Sequence, residues 1–218
     1  MKKLKCVFLF VLLIFLGINA SAQTTTKRDG GLYLLQGFRN QNFSQIDNQL
    51  ESFGFNATKK TQQFSGAGGY GWMGNFKIGG EGNYFRNQNQ QNNQNTVLNG
   101  FGGNIYTAYL INPKSKIHIL PLIGVGGESL SISAYQNNNV TTFSQALEQP
   151  QNLHLTTGSF YFKTALQVEY KAKKSVIGFQ LGYQLASHQQ WQINERSFSD
   201  APSDNLSALC IQLIIGIE

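Results

Sequence analysis

The sequence predicts an all-β protein, an eight-stranded antiparallel up-and-down transmembrane β-barrel, on three observations. Long period-two alternations recur along the chain. Its polar connections alternate strictly between short and long. It opens with an export leader and carries no later apolar run that reaches the about 20 residues of a membrane-spanning helix. The clearest alternation lies within residues 158–187. Phe160, Phe162, Leu166, Val168 and Tyr170 fall on one face of its first arm, opposite Tyr161, Lys163, Ala165, Gln167 and Glu169. After the turn Lys171-Ala172-Lys173-Lys174, Ile177, Phe179, Leu181, Tyr183 and Leu185 alternate with Gly178, Gln180, Gly182, Gln184 and Ala186. Each arm exceeds the roughly 5–6 residues usual in soluble sheets and reaches the roughly 9–11 that cross a bilayer at a tilt. One face is apolar throughout, while the other carries charge, amide and glycine, which suits lipid outside and a polar lumen inside.

The chain begins Met1-Lys2-Lys3-Leu4-Lys5, runs apolar from Val7 to Ile18, and continues Asn19-Ala20-Ser21-Ala22. A basic start, a short greasy centre and an Ala-x-Ala end predict a signal peptide over residues 1–22, with the barrel domain over 23–218. Cys6 lies in the leader and not at the cut site, which argues against a lipid anchor. A mature protein that enters a membrane without spanning helices must be a closed barrel, because only then are its backbone polar groups satisfied. The net charge of +6 falls to +3 without the leader lysines, so nucleic acid is not implied. Cys210 is then the one remaining thiol, which excludes an internal disulfide.

The elements follow in order. Strand one is expected from about Gly30 to Arg39, with Leu32, Leu34 and Phe38 on one side. Within the polar stretch to about Gln62, Ser44 with Asp47 resembles a capping box, and Phe43, Ile46, Leu50 and Phe53 recur at helical spacing before Gly54. These predict a short amphipathic helix, folded over the barrel rim in preference to docking a partner. Strands two and three, Phe64 to Met73 and Phe76 to Phe85, flank a Gly74-Asn75 turn. Their glycines lack the strand-loop-helix setting and the Lys-Ser/Thr ending of a phosphate loop, so they are expected to serve strand bending and packing. The amide tract from Arg86 to Asn95 has nothing apolar to bury and is expected to be a loop tip. Strand four spans about Leu98 to Ile111, and Asn112-Pro113-Lys114 makes the next turn. Strand five starts near Lys116. Its phase slips at Gly126-Gly127, which predicts a bulge. A polar loop (136–153) precedes the hairpin already described, a last long loop (188–204) follows it, and strand eight closes the chain. Several aromatic residues, with Tyr70, Trp72, Tyr84, Tyr106 and Tyr109 among them, fall near strand ends as interface aromatics should.

By alternation Lys77, Glu81, Glu128, Lys163 and Glu169 point into the lumen. An eight-stranded barrel is just wide enough for side chains to fill it, and enclosed charges must pair. The expected network sets Lys163 and Glu169 across from Glu81, Glu128 or Lys77. A second cluster, Lys114, Lys116, Lys171, Lys173 and Lys174, occupies the short turns at the periplasmic end, where anionic lipid head groups or an acidic partner would meet it. His118, His154 and His188 are widely spaced. Glu148, Glu195, Ser159 and Ser187 lie within sequence reach of the last two, but no hydrolase signature joins them. No catalytic, cofactor or metal site is expected.

With strand count, loop alternation and leader in place, nearly the whole mature chain resembles the eight-stranded outer-membrane barrel families of outer membrane proteins A, X and W. A looser similarity is to secretion-associated PorT-like barrels. The chain departs from many such barrels by ending Ile217-Glu218 in place of a terminal aromatic residue. The resemblance implies outer-membrane residence and lipid as partner. The expected role is non-catalytic, a structural or interaction protein with a plugged polar lumen, accessory to an envelope complex. The alternative is a narrow porin or channel for small or apolar solutes.

Overall fold

The computed structural model describes residues 30–91, 94–136, 152–193 and 196–217. The expected leader, together with Glu148 and Glu195, lies outside the described residues. Eight long strands form the wall: β1 (Gly31–Gln41), β2 (Thr61–Met73), β3 (Phe76–Gln91), β4 (Gln94–Tyr109), β5 (Ile117–Gln136), β6 (Asn152–Ala172), β7 (Ser175–Ala186) and β8 (Ala208–Ile217). Each pairs antiparallel with the next, and β1 pairs with β8 from Leu32↔Ile217 to Gln41↔Ala208. The wall therefore closes on itself, with every long strand paired on both sides over its lower part. Both described ends of the chain lie at the short-turn end. The helix α1 (Ser44–Ser52) belongs to the long β1–β2 connection at the opposite end.

Alternation sets the two surfaces. Leu32, Leu34, Phe101, Ile105, Phe160, Leu166, Phe179, Leu181, Leu213 and Ile215 are exposed on the outside, while their strand neighbours point into the lumen. The outward run on β6 from Phe160 to Tyr170 matches the about 9–11 residues of a spanning strand.

Toward the long-loop end the pattern inverts. On β5 the lower outward residues are Ile117, Ile123 and Val125, whereas Ser129, Ser131 and Ser133 occupy the same face higher up. Leu130, Ile132 and Ala134 are fully buried on the inner face there. No bulge accompanies the change, because the β4–β5 and β5–β6 registers run through Gly126 and Gly127 without a break. The slip expected from the sequence is a change of surroundings: the strand leaves the apolar band, and its greasy residues turn from lipid to an inner core.

The described part of the amide tract is also strand, against the expected loop. β3 continues to Gln91 and β4 starts at Gln94, with Arg86↔Asn99 through Gln91↔Gln94 in register. Amide side chains tie this extension to the β1–β2 connection. Asn87 Nδ2 donates to Thr61 O at 2.9 Å, and Asn89 Nδ2 to Ala57 O at 2.8 Å. Asn56 Nδ2 donates to Gln91 O at 3.2 Å and to Gln94 O at 3.1 Å.

The helix forms where expected but is capped differently. Ser44 supplies no cap. Instead Asp204, from the last long connection, accepts from Gln45 N at 2.9 Å and Ile46 N at 3.2 Å. Asp47 turns away and accepts from Thr58 N at 2.8 Å and from the Thr58 hydroxyl at 3.3 Å. Gly54, at φ +80°, ends the helical turn in the left-handed region that glycine adopts without penalty.

Candidate functional site

The lumen is built from the inward positions of all eight strands, and its charges are stacked along the barrel. Nearest the long-loop end, Arg39 on β1 meets Glu128 on β5 at 2.6 Å. Arg39 also donates to Gln62 Oε1 at 3.2 Å and to Gln41 Oε1 at 2.9 Å, and its guanidinium lies 3.9 Å over the Phe85 ring. At mid-height Lys163 on β6 pairs with Glu81 on β3. Glu81 further accepts from Asn104 at 2.9 Å, Tyr33 OH at 3.3 Å and Gln212 at 3.3 Å. Toward the short-turn end Lys77 on β3 pairs with Glu169 on β6, which also accepts from Gln167. The Lys77 ammonium sits 3.9 Å over the Tyr70 ring. All six charged side chains are buried, with Lys77 at 1% and Lys163 at 2% exposure. Opposite charges balance pair by pair, as burial in a low-dielectric interior demands. Between the upper and middle pairs, beside Arg39, Glu81, Lys163 and Gln212, a cavity of about 10 Å³ remains, the room of one water at most.

The long-loop mouth is covered by packed side chains. Phe43, Ile46 and Leu50 of the β1–β2 connection are buried together with Trp191 and Leu206 of the last connection. The Phe43 and Trp191 rings lie 6.2 Å apart, and Trp191 Nε1 donates to Asp204 Oδ2 at 3.1 Å. Asp204 therefore fastens two connections at once. Gln41 Nε2 adds a bond to Leu206 O at 2.7 Å. Burial pushes the Asp47 carboxyl above the usual carboxylate range, against the opposing pull of its Thr58 bonds.

No protein-family model matches the sequence, and no curated protein matches it. Solved structures do. Neisserial surface protein A (NspA) aligns with a TM-score of 0.51 at 8% identity, over 86% of this chain and 96% of its own. A major outer membrane protein from Thermus thermophilus aligns at 0.51 and 9%, over 87% and 99%. Ail, the attachment invasion locus protein of Yersinia pestis, solved with the heparin analogue sucrose octasulfate, aligns at 0.50 and 10%, over 87% and 99%. This is the small outer-membrane β-barrel fold. Identity this low carries the architecture and nothing finer.

Within this barrel the residues expected in the lumen all point inward. Lys163 meets Glu81, Glu169 meets Lys77, and Glu128 takes a partner that was not expected, Arg39. Arg39 was legible: Leu32, Leu34 and Phe38 face outward, so odd-numbered β1 residues face in. Two supposed interface aromatics, Tyr70 and Tyr106, are luminal and buried, and Trp72 shares their face. The Tyr33 and Tyr106 hydroxyls lie 3.1 Å apart, within hydrogen-bond distance, so these rings belong to the lumen network.

The basic cluster divides. Lys116 and Lys171 line a cavity of about 250 Å³ at the short-turn mouth with Trp72, Pro113, Ser115 and His118. Lys114, Lys173 and Lys174 sit on exposed turn tips. His118 and His154 lie at opposite ends of the β5–β6 pair, and the His188 side chain lies outside the described residues. His118 meets the Trp72 ring edge-on at 6.3 Å. His154 Nδ1 lies 3.2 Å from Ser133 Oγ in an exposed cross-strand pair, and no described carboxylate bonds to that pair. Ser159 is luminal and donates to Glu128 at 3.5 Å, while Ser187 donates to Phe160 O at 3.4 Å. Among the described residues no group of three or more His, Cys, Asp or Glu is placed to hold a metal. Asp204 and Trp191, which organise the covered mouth, had no signal in the sequence, since connections lack periodicity.

Proposed function

We propose that the protein is a non-catalytic barrel of the outer membrane whose lumen is a polar plug. Its role is structural or interactive, accessory to an envelope complex, and it is exercised from the long-loop end. The observation that carries this reading is the stack of paired charges across the lumen, with room between the upper two pairs for one water at most. A conduit for solutes needs continuous hydrated space. Here each of the six buried charges of the stack is held by a partner from a distant strand, and the outer mouth lies under α1 and Trp191. The apolar outer band supports lipid as the surroundings.

A liposome-swelling assay tests the plug. Vesicles holding the folded mature protein should swell in urea or small sugars no faster than protein-free vesicles. Rapid swelling would favour the narrow channel instead. Sucrose-gradient fractionation with mass analysis tests residence: the chain should start at Gln23 and sediment with outer membranes.

A further inference from the structure

We propose that the outer surface of β3–β6, just above the apolar band, binds a phosphorylated glycolipid of the leaflet on the long-loop side. The phosphate sits at Arg86, and the sugar rings lie over a grid of hydroxyl and amide groups. This deepens the reading of the barrel as a lipid-embedded interaction protein and rests on its membrane residence. It stands whether or not the lumen conducts.

The wall dictates this surface. β3 to β6 continue past the last β2–β3 and β6–β7 pairs, Phe64↔Phe85 and Tyr161↔Ala186. Register aligns their outward side chains in rows across the strands. Tyr84, Phe101, Ser129 and Gly158 form one row, and Arg86, Asn99, Ser131 and Thr156 form the next toward the long-loop end. The first row tops the apolar band, where Tyr84, Phe101 and the neighbouring Phe160 are all exposed. The second row is polar throughout. On the inner face the same strands bury Phe85, Leu98, Leu130 and Leu155, so packed core holds both rows from behind.

Charge selects a phosphate. Arg86 is exposed and forms no ion pair among the described residues. The bonds from Asn87 Nδ2 to Thr61 O at 2.9 Å and from Asn89 Nδ2 to Ala57 O at 2.8 Å lay residues 57–61 along the same edge of β3. Lys59 and Lys60, both exposed, thereby join Arg86. The two rows hold no carboxylate. On the α1 side Asp47 is buried and bound to Thr58, and the exposed Glu51 forms no ion pair with these cations. Such a cluster suits phosphate oxygens. The grid selects a sugar. The side-chain hydroxyls of Ser129, Ser131 and Thr156 form no hydrogen bond among the described residues, and Tyr84 OH donates to Asn99 Oδ1 at 3.4 Å. Neutral donors and acceptors repeat here about 4.8 Å apart across the strands, beside exposed rings. A simple anionic phospholipid would engage the cations and leave this grid unused. Acyl chains from a head group held here reach the band below, where Ile105, Val125 and Phe162 are exposed.

The test uses ¹⁵N-labelled mature protein in phosphatidylcholine nanodiscs and follows the backbone amide signals of Arg86, Asn99 and Ser131, with Gly74 at a short turn as internal reference. Diphosphoryl lipid A, the same lipid without phosphate, and phosphatidylglycerol are the probes. Diphosphoryl lipid A should move the three signals saturably and leave Gly74 in place. Each of the other two lipids should bind roughly tenfold more weakly, one lacking the phosphate and the other the sugar. Arg86→Gln should weaken lipid A binding by a similar factor, while Lys114→Gln, on a short turn, should leave it unchanged; the heat-dependent gel shift confirms that both variants fold. A shift that never saturates, equal affinity for phosphatidylglycerol, or equal loss in the two variants would overturn the site. Failure of the underlying reading looks different. Sedimentation away from outer membranes would remove the residence on which the site rests, whereas a lipid-embedded barrel that ignores lipid A would sink the site alone.

Discussion

Glu81→Gln isolates the charge of the central luminal pair from its shape. The glutamine keeps an oxygen for Lys163 and Asn104, and its amide can face the Tyr33 hydroxyl and the Gln212 amide, both of which can reorient to accept. Little hydrogen bonding is lost, so the damage is the Lys163 ammonium left buried at 2% exposure without a counter-charge. Breaking one partner of such a pair costs about 3–5 kcal/mol. Lys163→Met should cost a similar amount by stranding Glu81. The double variant removes both charges and should fall below either single, because a neutral side chain fills the space without a desolvation penalty. Urea unfolding in lipid vesicles, read by the heat-dependent gel shift, measures all three against the parent. Costs for the singles that simply add in the double would refute the pairing argument, since coupled charges cannot behave independently.

Other perturbations probe the wall and the covered mouth. Phe179→Arg or Leu181→Arg should cost roughly 2–4 kcal/mol by placing charge at mid-band, while Ser131→Arg, on the same outer surface above the band, should cost about 0–1 kcal/mol; equal penalties would contradict the inversion along β5. Asp204→Ala removes the acceptor for Gln45 N, Ile46 N and Trp191 Nε1, so loss of the helix cap alone should cost about 0.5–2 kcal/mol. Hydrogen exchange should then quicken at residues 45–50 and spare β6; unchanged protection would refute the two-connection clasp. Burial raises the Asp47 carboxyl above its unfolded value near 3.8, so the folded state holds that proton more tightly. Its contribution is full below the unfolded value and is lost as pH rises through the folded one. Exchange protection of α1 should therefore fall from acid toward neutral pH, and Asp47→Asn should flatten that slope.

Where strands are apolar on one side, their faces could be read from the chain alone. Residues 160–170 and 177–185 alternate as the sequence predicts, and the inward charges follow from the same phase. The tract from Arg86 to Gln91 shows where this fails. With no apolar residue to alternate, strand and loop look alike, and what extends β3 is main-chain pairing with β4 plus amide bonds from Asn87 and Asn89 to residues 61 and 57. β5 misled for another reason. Leu130, Ile132 and Ala134 keep phase with the inner face, but alternation assigns a face without saying what lies beyond it. The carboxylate on the helix comes from Asp204, which lies 158 residues beyond Ile46. Such a contact is set by closure of the whole barrel and has no local mark. The short-turn mouth was half legible: the lysines were visible as a cluster, while the cavity that gathers Lys116 and Lys171 beside Trp72 needed the register of three strands.

Single-channel recording of the refolded mature protein in a planar bilayer tests the plugged lumen most directly, with folding checked by the heat-dependent gel shift. The account predicts silence from the parent protein, with openings arising only when Lys163→Ala or Glu169→Ala breaks a luminal pair. Reproducible conductance steps from the parent protein would contradict it and mark the lumen as a conduit.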